Sequence, residues 1–189
     1  GKANTAMTDL APSAKATVTT TTQGVTAVTA QNTLGVTNGT VTIAGAAALK
    51  TVTVDGYAAS TVANGVTGAT NTALDTISLA NGGNFGIDSA AATLGLTLAN
   101  VNGTVEVTAG TKTLNAAVSH AKATDTTRLI SASAETVNVT GTGNVAGTTV
   151  LCDVAAATDI YTTGMTAGKA TFIVADGTAT SYTGGAGVD

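Results

Sequence analysis

The chain is poor in almost everything that builds a conventional globular core. Charged residues supply 10% of its 189 positions, against about a quarter in an ordinary soluble domain. Aromatics supply 3%, Trp is missing, and there is one Cys, one Pro and one His. Each scarcity closes a class. The lone Cys152 excludes an internal disulfide framework, and in "TTVLCDVAAA" it has no His or basic neighbour, so it reads as a buried small hydrophobe rather than a reactive thiol. The six Lys and Arg128 are scattered and the formal net charge is −4, so no basic run exists to neutralise phosphates and no nucleic-acid partner is expected. Thr, Asn, Gly and Ser interrupt every apolar stretch well short of the ~18 residues that a spanning helix needs, so the chain reads as not membrane-spanning. "GKANTAMTDLAPSAKA" offers no apolar signal-peptide core.

What remains is small, apolar and repetitive. Apolar residues are 43% and Thr alone supplies 42 residues, which excludes simple disorder. From about residue 17 the pattern alternates with period two: "ATVTTTT" (16–22), "GTVTIAG" (39–45), "KTVTVDG" (50–56), "DTISLANG" (75–82), "LGLTLANVNG" (94–103), "GTVEVTAG" (103–110), "ETVNVTGTG" (135–143), "TTVLCDV" (148–154) and "ATFIVADG" (170–177). Val, Ile or Leu fall on one face and Thr, Ser, Asn or Glu on the other, the mark of half-buried strands, and most runs close on Gly. The chain reads as all-β. The Ala-bearing segments 115–130 and "LCDVAAATDI" predict at most one or two short helices, and Pro12 marks the entry to the first strand after a lead-in over 1–15.

Strand centres about ten to twelve residues apart fit two architectures, an antiparallel β-sandwich and a parallel β-solenoid. The near-identity of "GTVTIAG", "KTVTVDG", "GTVEVTAG" and "ETVNVTG", the shortage of core aromatics, and Thr and Asn at repeated positions where stacked coils form ladders favour the solenoid over residues 16–183.

Chemistry has few candidates. His120, in "SHAKATD", reads as an exposed loop or helix surface, and no nucleophile elbow or phosphate-binding loop occurs. A β-helix polysaccharide lyase or hydrolase would need paired carboxylates, for which Asp153 with Asp159, or Asp55 with Asp176, are the candidates; three Tyr, two Phe and one Arg are too few to line such a groove, and the chain is not read as an enzyme. The acceptor-like triplets at Asn38, Asn102 and Asn138 read as turn and ladder positions. Tyr57, Tyr161 and Tyr182 read as contact or local packing residues.

The ending, "YTGGAGVD", looks like the start of the G-G-x-G-x-D-x-U-x nonapeptide, with Gly184, Gly185, Gly187 and Asp189 in register. With the Thr/Ala/Val/Gly-rich body, it resembles the repeat regions of bacterial surface-layer and RTX-type proteins, in particular the alphaproteobacterial S-layer type. That resemblance implies stacked β-solenoids and Ca²⁺ held between coils by glycine carbonyls and aspartate carboxylates. Residues 184–189 carry one copy, hence an incomplete calcium half-site. It also implies an extracellular, secreted protein of the bacterial cell surface that assembles with copies of itself into a layer or filament. The alternative it implies is a stalk module of a large RTX-type adhesin that binds cell-surface polysaccharide.

Overall fold

The structure, a computed structural model, describes residues 4–9, 15–19, 25–31, 40–44, 48–57, 65–67, 71–108, 110–141, 144–178 and 180–186. Successive strands alternate between two sheets. The first contains β1 (Asn4–Asp9), β3 (Val25–Gln31), β5 (Thr51–Asp55), β7 (Thr76–Gly82), β9 (Thr93–Val101), β11 (Thr113–Ser119), β13 (Thr136–Thr140), β15 (Asp159–Gly164) and β17 (Ser181–Thr183), side by side in that order. The second contains β2 (Lys15–Thr19), β4 (Thr40–Ala44), β6 (Gly65–Thr67), β8 (Phe85–Asp88), β10 (Gly103–Thr108), β12 (Thr126–Ser131), β14 (Thr149–Asp153) and β16 (Lys169–Ile173), also in sequence order. All neighbours are parallel. The fold is therefore a parallel β-solenoid, each coil contributing one strand to each sheet.

This topology follows from the alternation. Parallel neighbours need a connection of a dozen or more residues, usually helical. Here the connection is the other sheet's strand with a short corner on each side, so the crossover buries apolar side chains of its own. The step between coils runs from 19 residues (Thr76 to Gly95) to 25 (Thr51 to Thr76).

Between the sheets, inward side chains stack in register. On one side run Val28, Val52, Ile77, Leu96, Ala116 and Val139, with Val54, Leu79, Leu98 and Val118 beside them. On the other run Phe85, Val105, Leu129, Cys152 and Phe172. All but Phe172 are at most 3% exposed. The interior is narrow enough for aliphatic side chains to meet across it, which explains why so few aromatics suffice. Cys152 is such a filler, and burial pushes its thiol up to about 12.

Among the described residues the largest fully buried side chain is Tyr57, just beyond β5. It donates its hydroxyl to the Gly83 carbonyl at 3.1 Å and meets Phe85 edge-on, centroids 5.4 Å apart. A Cβ at Gly82 would fall 2.2 Å from the Tyr57 ring, so that position requires glycine.

Many polar atoms at the corners bond from coil to coil. Along the corner leading into the nine-stranded sheet, the Ser89 hydroxyl donates to the Leu74 carbonyl (2.8 Å), Thr111 to Ser89 (3.1 Å), Ser133 to Thr111 (3.0 Å) and Thr158 to Glu135 (3.3 Å). Along the opposite corner Asn81 donates to the Asp55 carboxylate (2.8 Å), Asn100 to the Asn81 carbonyl (3.2 Å), and the Ala121 amide to the Asn100 carbonyl (2.9 Å). Asn81 and Asn100 both adopt positive φ, 51° and 53°, a conformation Asn tolerates better than most residues. The ladders expected of Thr and Asn are present.

The Ala-bearing segment 115–130 forms no helical turn: it contributes most of β11, an exposed turn at Ala121–Thr124, and most of β12. Leu114, Ala116 and Val118 alternate inward, and burial on that period outweighs the helical bias of the alanines. No helix occurs among the described residues, and no helix is long and apolar enough to cross a membrane. Pro12 lies outside the described residues, while β1, inside the expected lead-in, pairs with β3.

Because each core row is shared by adjacent coils, Leu98→Ala should destabilise the fold by about 2–5 kcal/mol, read as a drop in the urea midpoint. The neighbouring exposed Thr97→Ala should stay within about 0.5 kcal/mol of the parent.

Candidate assembly surface

Along the middle of the outer face of the nine-stranded sheet run two rows, set by the strand register up to a bulge between β13 and β15, while the flanking rows of the same face include Asp55, beside Ala80, and Asp159, beside Thr136 and Ser181. One central row reads Thr51, Thr76, Gly95, Asn115, Asn138, Tyr161, Thr183 and the other Thr53, Ser78, Thr97, Ala117, Thr140, Gly164. Neither central row contains a charge. Adjacent side chains in a row lie about 4.8 Å apart, and the rows about 6.6 Å apart, so short neutral groups form a flat lattice. Within it the Asn138 amide donates to the Asn115 carbonyl at 2.6 Å.

Two features break the flatness. Where the rows shrink to Gly95 and Ala117, a shallow recess of about 320 Å³ opens, walled by Thr76, Thr97, Asn115, Asn138 and Thr140. Three coils on, Tyr161 projects from the same row as Gly95, 37% exposed. At the rim Lys112 and Glu135, each preceding a residue of the register pair Thr113 and Thr136, form an exposed ion pair at 2.5 Å.

Ile173 and Tyr182 are 47% and 45% exposed, Phe172 and Tyr182 are tilted together at 6.0 Å, and Tyr182 shares a 2.9 Å hydrogen bond with Thr162. Among the described residues nothing pairs with the outer edges of β16 and β17.

His120 is the main correction at the level of side chains. It is 1% exposed rather than on the surface, because it closes β11 with its ring turned into the corner, while the following turn carries the exposure. The Thr127 hydroxyl donates to the Val101 carbonyl at 2.7 Å, so the 2.8 Å contact between Thr127 Oγ1 and His120 Nε2 places the imidazole proton on Nε2. Nδ1 has no hydrogen-bond partner and faces the Asp125 carboxylate at 3.8 Å. Burial holds His120 below its ordinary 6.5, with Asp125 pulling the other way. Beside it a cleft of about 400 Å³ is lined by Asn81, Asn100, Asn102, Lys122 and Asp125.

The carboxylates proposed in pairs are not brought together. Asp153 lies in register with Ile130 and Ile173 and is ion-paired with Arg128 at 2.8 Å, whereas Asp159, on the other sheet, aligns with Thr136 and Ser181. Asp55 is held by Asn81, and Asp176 lies exposed in the turn after β16. Asn102 stands in the one-residue corner between β9 and β10 and accepts the Thr126 amide at 3.3 Å; Asn138 is a ladder residue; Asn38 lies outside the described residues. Of the calcium candidates, Gly184 is exposed and Gly185 packs so near the Thr162 carbonyl that a Cβ would sit 2.1 Å from it. Gly187 and Asp189 lie outside the described residues. No three His, Cys, Asp or Glu side chains cluster among the described residues.

Compared with known proteins, the chain matches no family model, no curated protein and no solved structure.

Two outcomes follow from the corner. The unfolded chain binds the His120 proton at higher pH than the folded one, so the stability that neutral His120 contributes is full above about 6.5 and is lost as pH falls toward the folded value. Urea midpoints measured from about pH 7.5 to about pH 5 should decline more steeply for the parent than for His120→Asn. Asn100→Ala, which removes both ladder contacts and strains the positive φ, should cost about 1–3 kcal/mol in thermal unfolding, with Asn100→Gly costing less because it keeps the backbone relaxed.

Proposed function

We propose that the chain is a structural segment of an extracellular bacterial surface protein and that its work is to pack against copies of itself in a surface layer or filament. The observation that carries this reading is the outer face of the nine-stranded sheet, whose two central rows carry no charge and run coil after coil, in one register as far as the bulge between β13 and β15. Within these two rows no charge has to be desolvated and no like charges oppose a second copy, and the hydroxyls and amides can find hydrogen-bond partners across the contact. In this proposal Gly184, Gly185, Gly187 and Asp189 supply half of a Ca²⁺ site that supports the assembly, the other half coming from a neighbouring repeat. A second reading, the adhesin module that binds cell-surface polysaccharide, is favoured by the corner cleft, whose amides, ammonium and carboxylate suit a hydroxyl-rich ligand.

Electron microscopy of the full-length protein, with calcium and with excess chelator, tests the proposal. Ordered sheets or filaments that disperse on chelation, and that Asp189→Ala weakens while leaving the solenoid folded, are the expected result. Dispersed particles under both conditions would overturn it in favour of the adhesin module.

A further inference from the structure

We infer that the outer face of the nine-stranded sheet is a two-fold interface, its occupant a second copy of this chain packed face to face about an axis parallel to the strands between β11 and β13. The inference rests on the self-association proposed above and names the surface that performs it.

Such an axis exchanges β11 with β13 and β9 with β15 while leaving each row in place. In the first row it sets the projecting Tyr161 over Gly95, the floor of the recess, and Asn115 opposite Asn138. In the second it sets Thr97 opposite Gly164 and Ala117 opposite Thr140. Three of these four pairs match a larger residue with a smaller one, and the fourth matches two amides. Facing sheets pack about 10 Å apart by this kind of interdigitation.

Charge agrees with shape. Lys112 and Glu135 stand at equal distances on either side of the axis, so each Lys112 comes opposite the Glu135 of the other copy, and the exposed pair within one chain becomes an alternating four-charge cluster at the rim. A shift of one coil in either direction would move Tyr161 off Gly95 and bring it against Thr76 or Asn115. The arrangement is isologous and closes on itself, which leaves the opposite sheet open for other contacts.

A cysteine pair reads the geometry directly. Tyr161 and Gly95 of one chain are three coils apart, about 14 Å, beyond the reach of a disulfide, and so are the two copies of either residue across the axis. Gly95 accepts a side chain, since a Cβ there would meet only the Asp75 carbonyl at an ordinary 3.5 Å, and the native Cys152 is buried. Under mild oxidation the double variant G95C/Y161C should form a covalent dimer, while G95C and Y161C alone stay single chains on a non-reducing gel. Tyr161→Ala, an exposed change that spares the core, should move the self-association midpoint in sedimentation to about tenfold higher concentration. If the parent protein associates but the double variant links no better than the single ones, this face is not the interface and the wider reading survives. If the parent sediments as a single chain at every concentration, the interface and the self-association both fall.

Discussion

Everything in this structure depends on one strand finding its counterpart a coil away, in parallel and in the right phase. Side chains alternate with period two, so a slip of one residue would turn an entire aliphatic row outward and an entire threonine row inward. The phase holds because three layers agree on it. Aliphatic rows such as Ile77, Leu96 and Ala116 stack inside, backbone ladders run between strands, and the corner hydroxyls and amides bond to the preceding coil. None of these is strong alone. Together they let a chain almost without aromatics specify one stack.

The corners show how that phase tolerates unequal coils. The connection between β9 and β10 is Asn102 alone, that between β11 and β12 runs from His120 to Asp125, and that between β13 and β14 spans 141–148. In the second of these the turn Ala121–Thr124 is taken up outside the ladder, and His120 fills the space behind it. His120 is buried because a wide corner needed volume, and its neutral tautomer follows from Thr127 having already given its proton to Val101.

Most strands were legible from alternation alone, and the choice of a stack over a sandwich came from the likeness of "KTVTVDG" and "ETVNVTG". β11 was hidden because alanine serves a strand interior and a helix equally well, and β8, "FGID", because four residues carry too short a pattern to stand out from the surrounding glycines. The surface was the least legible part. Whether Gly95 shares a row with Tyr161 depends on coil lengths of 20, 23 and 23 residues, and no local motif announces those lengths before the pairing is known. The Asn81 and Asn100 ladder had a signal available, since "LANG" and "LANVNG" both place Asn where a strand ends. Of the terminal glycine motif only Gly184 and Gly185 fall among the described residues.

The nearest-neighbour construction has a mechanical side. Force applied along the stack is resisted only by the bonds between one coil and the next, whereas force applied along the strands loads a whole row of backbone ladders in shear. The molecule should therefore peel coil by coil in the first direction and hold in the second. A layer built from such units is toughest in the plane that contains its strands.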